Sequence, residues 1–154
     1  MEFRSGKQKI IVITAVLLLA FGILAVSYGP GIVKSRDPDS NQSLTARAIE
    51  QFHTRLSNLQ FAEIYDTSHK LFQESQNREA LIENMKRTRD RFGRFKNVIS
   101  GRVHELPGTP VQIKAVYNTA YENGDATELF MFLKEGNDIR LAQYQISPGT
   151  VKID

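Results

Sequence analysis

The chain of 154 residues contains no cysteine. Disulfide bonds, thiol chemistry and thiolate–metal sites are therefore excluded, as is a bacterial lipoprotein anchor, which requires a cysteine. Net charge is also small: the formal value is +3, of which residues 1–29 contribute +2 and all later residues +1. Such a nearly neutral domain argues against a nucleic-acid partner, because nucleic-acid-binding domains are usually strongly basic.

Charged residues are also absent between Lys9 and Lys34, and most of this stretch is apolar. A membrane-spanning helix needs about 20 such residues. The stretch therefore predicts a transmembrane anchor at residues 10–28. Three basic residues precede it, which places residues 1–9 in the cytoplasm and the rest outside the inner cell membrane. The alternative is a cleavable signal peptide ending near Ala25-Val26-Ser27.

Residues 29–43 form a predicted linker, because glycine, proline and short polar residues interrupt every periodic pattern there. The extracytoplasmic domain is predicted to follow at residues 44–154. Its first helix is expected from Leu44 to Asn58 with Ser43 as its N-cap, and a short helix is expected around Phe61. Another helix is expected from Arg78 to Phe92, with apolar residues three and four positions apart.

Four strands are expected after these helices. The first candidate is Phe95–Leu106, in which Phe95, Ile99 and Val103 are expected to share one face. The remaining three strands lie between residues 111 and 146 and are joined by two tight turns, the first of them Asn123-Gly124. Helices followed by a run of antiparallel strands predict an α+β fold with the helices packed on one sheet face.

Three stretches resemble a known superfamily. Leu56–Tyr65 is similar to its helix–short helix entry, Arg87–Gly93 to an arginine-rich helix end closed by glycine, and Glu135–Ile146 to a closing pattern like D-G-x-W-R-V-A-G-Y-x-I. On these residues the chain resembles the nuclear transport factor 2-like (cystatin-like) superfamily, and within it small exported bacterial domains of unknown function. The chain departs from the closing pattern at Ile139, where tryptophan is common, and at Gln143, where glycine is common.

The resemblance implies a strongly curved antiparallel sheet that wraps the N-terminal helices into a cone. Many members of the superfamily bind a small molecule in the cone, some are enzymes, and others only assemble with partners. Fold alone does not decide among these roles.

The first turn predicts which side chains share a face of the sheet. With Asn123-Gly124 as the turn, Tyr121 is expected to pair with Ala126 and Tyr117 with Phe130. One face then carries the aromatic residues and is assigned to the concave side, against the helices. The predicted ligand-binding residues of the cone interior are Tyr65, Tyr117, Tyr121, Glu128 and Phe130.

No enzymatic activity is expected, because no nucleophile, acid–base or phosphate-loop arrangement stands out. No metal site or cofactor is expected either, since none of the three histidines has a second ligand at a recognised spacing. The alternative is weak proton-transfer or hydrolytic chemistry, in which Glu128 acts with Tyr117 or Tyr121 in a deep cavity. The competing interpretation gives Glu128 a structural role, bonded to hydroxyl groups or an arginine.

The convex face of the predicted sheet is also apolar. Large exposed apolar areas usually mark contacts with other molecules. We therefore expect a homodimer or an envelope-protein partner on this face. The competing explanation is that the linker or the C-terminal tail of the same chain covers it. The four apolar residues concerned are Val116, Leu129, Met131 and Leu133.

Overall fold

The computed structural model describes residues 39–153. They form an α+β fold in which four helices precede a four-stranded antiparallel sheet. The helices are α1 (Asn41–Ser57), α2 (Phe61–Asp66), α3 (Lys70–Glu74) and α4 (Arg78–Phe92). The strands are β1 (Phe95–Leu106), β2 (Val111–Tyr121), β3 (Gly124–Glu135) and β4 (Asp138–Pro148).

The sheet is a meander in which each strand pairs with the next, in the order β1-β2-β3-β4. The helices pack on one face, which we call the inner face, and the opposite face is the outer face. All members of the hydrophobic core cluster lie between Ile49 and Ile146. The described residues therefore contain a hydrophobic core of their own, and we expect a soluble fragment of residues 39–154 to fold.

The two longer helices follow from cap residues and apolar spacing. Asn77 caps α4, since its side-chain oxygen accepts from the Ala80 N–H at 2.7 Å, and α4 has the predicted bounds. The predicted cap of α1 was wrong: Ser40, not Ser43, caps this helix and accepts from the Ser43 N–H at 3.2 Å. α1 therefore begins three residues earlier than the predicted Leu44, because the polar residues 41–43 are helical.

The β2–β3 hairpin pairs two residues out of step with the predicted register. Tyr121 pairs with Gly124 rather than Ala126, so Glu122 and Asn123 are the turn residues and Gly124, at φ 131°, begins β3. Both turn residues hydrogen-bond to residues 92–94 at the end of α4, which favours this register. Because side chains alternate along a strand, a shift of two residues leaves each one on its predicted face.

β1 contains two bulges in its first half. Each bulge adds one residue on β1, so the helix-facing residues are Phe95, Val98, Gly101 and Val103. The prediction that Ile99 lies on this face was wrong, because Ile99 is one of the extra residues and its side chain is 49% exposed. The alternation of apolar residues could not reveal two successive bulges.

The outer face has no described helix over it. Leu133 is buried, whereas Val116, Leu129 and Met131 are half-buried. The segment after β4 crosses one end of this face. There the Asn118 side chain donates to the Val151 carbonyl at 2.7 Å and accepts from the Val151 N–H at 3.1 Å.

No helix among residues 39–153 has the length and apolar character needed to cross a membrane. The predicted anchor at residues 10–28, the cytoplasmic segment 1–9 and most of the predicted linker lie outside the described residues.

Gly101 provides the space for the Tyr117 ring, because a Cβ atom at this position would overlap the ring. Gly101→Ala should therefore destabilise the soluble fragment by about 1–3 kcal/mol in urea unfolding. In a Tyr117→Ala background the ring is gone, and the same substitution should be close to neutral or stabilising, since glycine in a strand is intrinsically unfavourable. Equal costs in both backgrounds would contradict this account.

Candidate functional site

A fully buried carboxylate joins the helices to the sheet. Glu128 Oε1 accepts hydrogen bonds from the hydroxyl groups of Tyr121 and Tyr144, each at 2.7 Å. Its other oxygen, Oε2, lies 2.8 Å from His53 Nε2. The exposed fractions are 0% for Glu128, 3% for His53, 2% for Tyr121 and 0% for Tyr144. We call these four residues the Glu128 cluster.

The cluster combines side chains from four elements. His53 belongs to the buried stripe of α1, where it follows Ile49 by four residues and so lies on the same helix face. Its ring stacks on Phe95 at a centroid distance of 3.9 Å. Tyr121 comes from β2, Glu128 from β3 and Tyr144 from β4, so adjacent strands bring the two hydroxyl groups to one oxygen.

Opposing effects determine the ionisation of the Glu128 cluster. Burial by itself would raise the Glu128 pKa, but the attraction of His53 and the hydrogen bonds from His53 and both tyrosines outweigh it and lower the pKa. Burial and the neighbouring carboxylate raise the pKa of Tyr121 and that of Tyr144. The cluster therefore holds an ionised carboxylate beside protonated phenols.

A cleft of about 540 Å³ lies between α1 and the β1 edge of the sheet, next to the cluster. Its volume falls within the range of about 300–1,000 Å³ that is usual for small-molecule sites. His53 belongs to both the cluster and the cleft wall, whereas Glu128 does not line the cleft. The lining residues are Ala46, Ile49, Glu50, His53, Thr54, Ser57, Asn58, Phe95, Val98 and Tyr117.

The predicted ligand-binding residues are only partly brought together. Tyr121 and Glu128 are hydrogen-bonded, and Phe130 lies beside them with its ring against Tyr144. Tyr117 lines the cleft without bonding to Glu128. Tyr65 lies apart on α2, where its hydroxyl donates to the Gln73 carbonyl at 3.3 Å.

The alternative of proton-transfer chemistry requires Glu128 to face a deep cavity. Glu128 is closed off from solvent, and both of its oxygens already have partners. The pKa of Glu128 is also lowered by His53 and the two tyrosine hydroxyl groups, so this side chain is not a protonated acid near neutral pH. No group of three or more potential ligands in the described part of the chain is arranged to hold a metal ion.

Two residues of the cluster were missing from the predicted site. His53 was treated as an isolated histidine, although its spacing from Ile49 and Leu56 puts it on the buried stripe of α1. Tyr144 was not predicted, because the bulge opposite Met131 and Phe132 changes which β4 residues face the helices. The sequence does indicate the bulge, because the apolar residues of β4 change from odd to even positions between Leu141 and Tyr144.

Comparisons with known proteins give little guidance. No protein-family model matches the chain. No curated protein matches it either. Among solved structures, the structure of Bdellovibrio bacteriovorus Bd1075 matches with a TM-score of 0.46 and 10% sequence identity. The match covers 72% of this chain and 41% of that chain, so this chain spans less than half of its length.

Glu128→Gln should destabilise the soluble fragment by about 3–5 kcal/mol at pH 7, because it breaks a buried pair. The folded-state pKa of Glu128 is lowered, so the stabilisation is complete above the unfolded value of about 4.3 and is lost as the pH falls through the folded value. The variant should therefore show a shallower loss of stability below about pH 4.3. Urea unfolding between pH 2 and pH 7 measures both effects.

Glu74→Gln is the matched control, since Glu74 is exposed on α3 and should change stability by less than about 0.5 kcal/mol. If Glu128→Gln fails to fold, Tyr144→Phe removes one donor and should cost about 1–2 kcal/mol. A Glu128→Gln variant as stable as the control at every pH would contradict the assignment.

Proposed function

We propose that residues 41–153 form a non-enzymatic binding domain that takes a small, largely apolar molecule into the cleft between α1 and β1. The cleft carries this proposal, because its volume suits such a molecule. Ala46, Ile49, Phe95 and Val98 supply apolar surface, and Val98 is 38% exposed. The space left for a ligand is thus beside the core rather than inside it.

Catalysis has no support in this geometry. Among the cleft-lining residues between positions 39 and 153, Glu50 is the only carboxylate. It is exposed and has no neighbouring base in hydrogen-bond reach among the described contacts. His53 has its Nε2 committed to Glu128 and its ring against Phe95, so that it is held by the core. The domain is therefore proposed to bind its ligand without changing it.

The fold is proposed to be the cone of the nuclear transport factor 2-like superfamily. Its element order of helices followed by an antiparallel meander supports this assignment. So do the bulges in β1 and the bulge between β3 and β4, because bulges bend strands and increase the curvature of a sheet. In such a cone the cleft corresponds to an opening between the first helix and the first strand.

The chain is further proposed to be a single-pass protein of the inner membrane, anchored by residues 10–28, with its domain outside the cytoplasm. The uncharged segment behind a basic N-terminus supports this topology. A reporter that is active only outside the cytoplasm should be active when it is fused after Asp154. A reporter that is active only inside the cytoplasm should be inactive when it is fused at the same position. The opposite pattern would refute the topology, and the intact mass of the product distinguishes an anchor from a cleaved signal peptide.

A substitution that fills the cleft tests the binding proposal. Ala46 is exposed on α1 and lines the cleft, so Ala46→Trp should block the site without disturbing the core. Nile red, an uncharged polarity-sensitive dye, should bind the soluble fragment saturably, and Ala46→Trp should weaken this binding at least about tenfold. Fluorescence titration measures both affinities.

The control is Lys86→Trp, which places the same side chain at an exposed position on α4, away from the cleft-lining residues. Binding should be unchanged in this variant. Absence of saturable binding, or equal binding by the two tryptophan variants, would refute a site in the cleft.

The second candidate function is assembly through the outer face. Val116, Leu129 and Met131 are half-buried in one chain and lie on the face that no described helix covers, which favours a homodimer or an envelope-protein partner there. If the fragment associates, sedimentation should show a concentration-dependent mass that Met131→Lys reduces to the monomer. A monomer at all concentrations in the unsubstituted fragment would reject self-association.

A further inference from the structure

The charges around the cleft point to the chemistry of its ligand. Glu50 is exposed on α1, and no arginine or lysine is among the cleft-lining residues of the part of the chain that the structure describes. Arg47 and Lys96 are close in sequence to lining residues but do not line the cleft themselves. Any positive charge on His53 is compensated by the buried Glu128 carboxylate 2.8 Å away. The cleft wall is therefore acidic in balance.

Tyr117 adds a hydrogen-bonding group to the wall. Its side chain is half-buried, and its hydroxyl has no hydrogen-bond partner among the residues that the structure describes. The Tyr117 ring packs against Gly101 on β1 while its side chain lines the cleft. The hydroxyl oxygen can accept a hydrogen bond from an ammonium group, and the hydroxyl hydrogen can be donated to a ligand oxygen.

Aromatic rings complete the set of groups. Phe95 and Tyr117 both line the cleft, and one face of Phe95 is already covered by His53. Aromatic rings attract cations through the negative charge of their faces, and a nearby carboxylate strengthens the preference for positive charge. The same groups would repel a carboxylate or sulfonate.

We infer that the ligand is a small organic cation, with an apolar body held by Ile49, Phe95 and Val98 and an amine directed towards Glu50 and Tyr117. This inference rests on the proposed function, because it specifies the class of molecule that the cleft takes. The volume of about 540 Å³ suits one or two fused rings or a short branched chain.

A matched series of naphthalene compounds tests the inference. 1-Naphthylmethylamine is cationic at pH 7, 1-naphthalenemethanol is neutral, and 1-naphthoic acid is anionic. Equilibrium dialysis against the soluble fragment should give an affinity order of amine, alcohol and acid. The amine should bind about threefold to fivefold more tightly than the alcohol, as expected for an exposed charge pair, and the preference should shrink at high salt.

Glu50→Gln should reduce the ratio of amine to alcohol affinity to about one, whereas the control Glu74→Gln should keep the original ratio. Binding of the alcohol as tight as that of the amine in the unsubstituted fragment would overturn the inference and leave the binding proposal standing. Tightest binding of the acid would also overturn it. If none of the three compounds binds and Nile red does not bind either, the proposed function itself fails.

Discussion

The carboxylate of Glu128 is the group on which the arrangement of helices and sheet depends. It is completely buried, yet it is held in the ionised form by His53 and two tyrosine hydroxyl groups. An ionised carboxylate without partners would be very costly in such a position. Each partner comes from a different element, so the carboxylate is stabilised only when α1, β2 and β4 all stand in the correct positions around β3.

Buried ion pairs often add little net stability, because desolvation offsets the attraction between the charges. Breaking one is nevertheless expensive, and this asymmetry favours a single position of α1 over alternative packings. His53 joins α1 to β3, whereas the residues of β1 are all half-buried or exposed. The cleft lies between α1 and the bulged half of β1.

Much of this fold could be predicted from the sequence. The bounds of α4 and β1 follow from the spacing of apolar residues and from Asn77 as a helix cap. The faces of β2 and β3 follow from the alternation of side chains along each strand, although the predicted pairing of the two strands was wrong by two residues. The β-bulges could not be predicted, because a bulge is determined by contacts between strands. As a result Ile99 was wrongly assigned to the inner face, although it is exposed, and Tyr144 was not predicted to lie at the site. Of the residues predicted to bind a ligand, Tyr121 and Glu128 belong to a closed, fully hydrogen-bonded cluster. The sequence pattern alone did not distinguish such a cluster from an open pocket.

The location of the cleft could not be predicted, because it depends on the distance between α1 and β1. The sequence does contain residues of its wall, namely Tyr117, whose ring packs against Gly101, and an exposed carboxylate at position 50, three residues before His53 on α1. Only the packing of α1 against the sheet brings these residues together in one cleft. Glu128, a predicted site residue, is buried with both oxygens hydrogen-bonded, whereas Glu50 and Tyr117 line the cleft.

The central claim is that His53 and the two tyrosines keep a fully buried Glu128 ionised. Titration of the Glu128 side-chain carboxyl by carbon-13 NMR in the soluble fragment tests it directly. We predict that the carboxyl signal stays at the position of the ionised form as the pH falls to about 4.3, the ordinary value for glutamate, and that it titrates only below that. A titration midpoint above about 4.3 would mean that the desolvation of Glu128 outweighs the effect of His53 and the two tyrosines, and it would contradict the central claim.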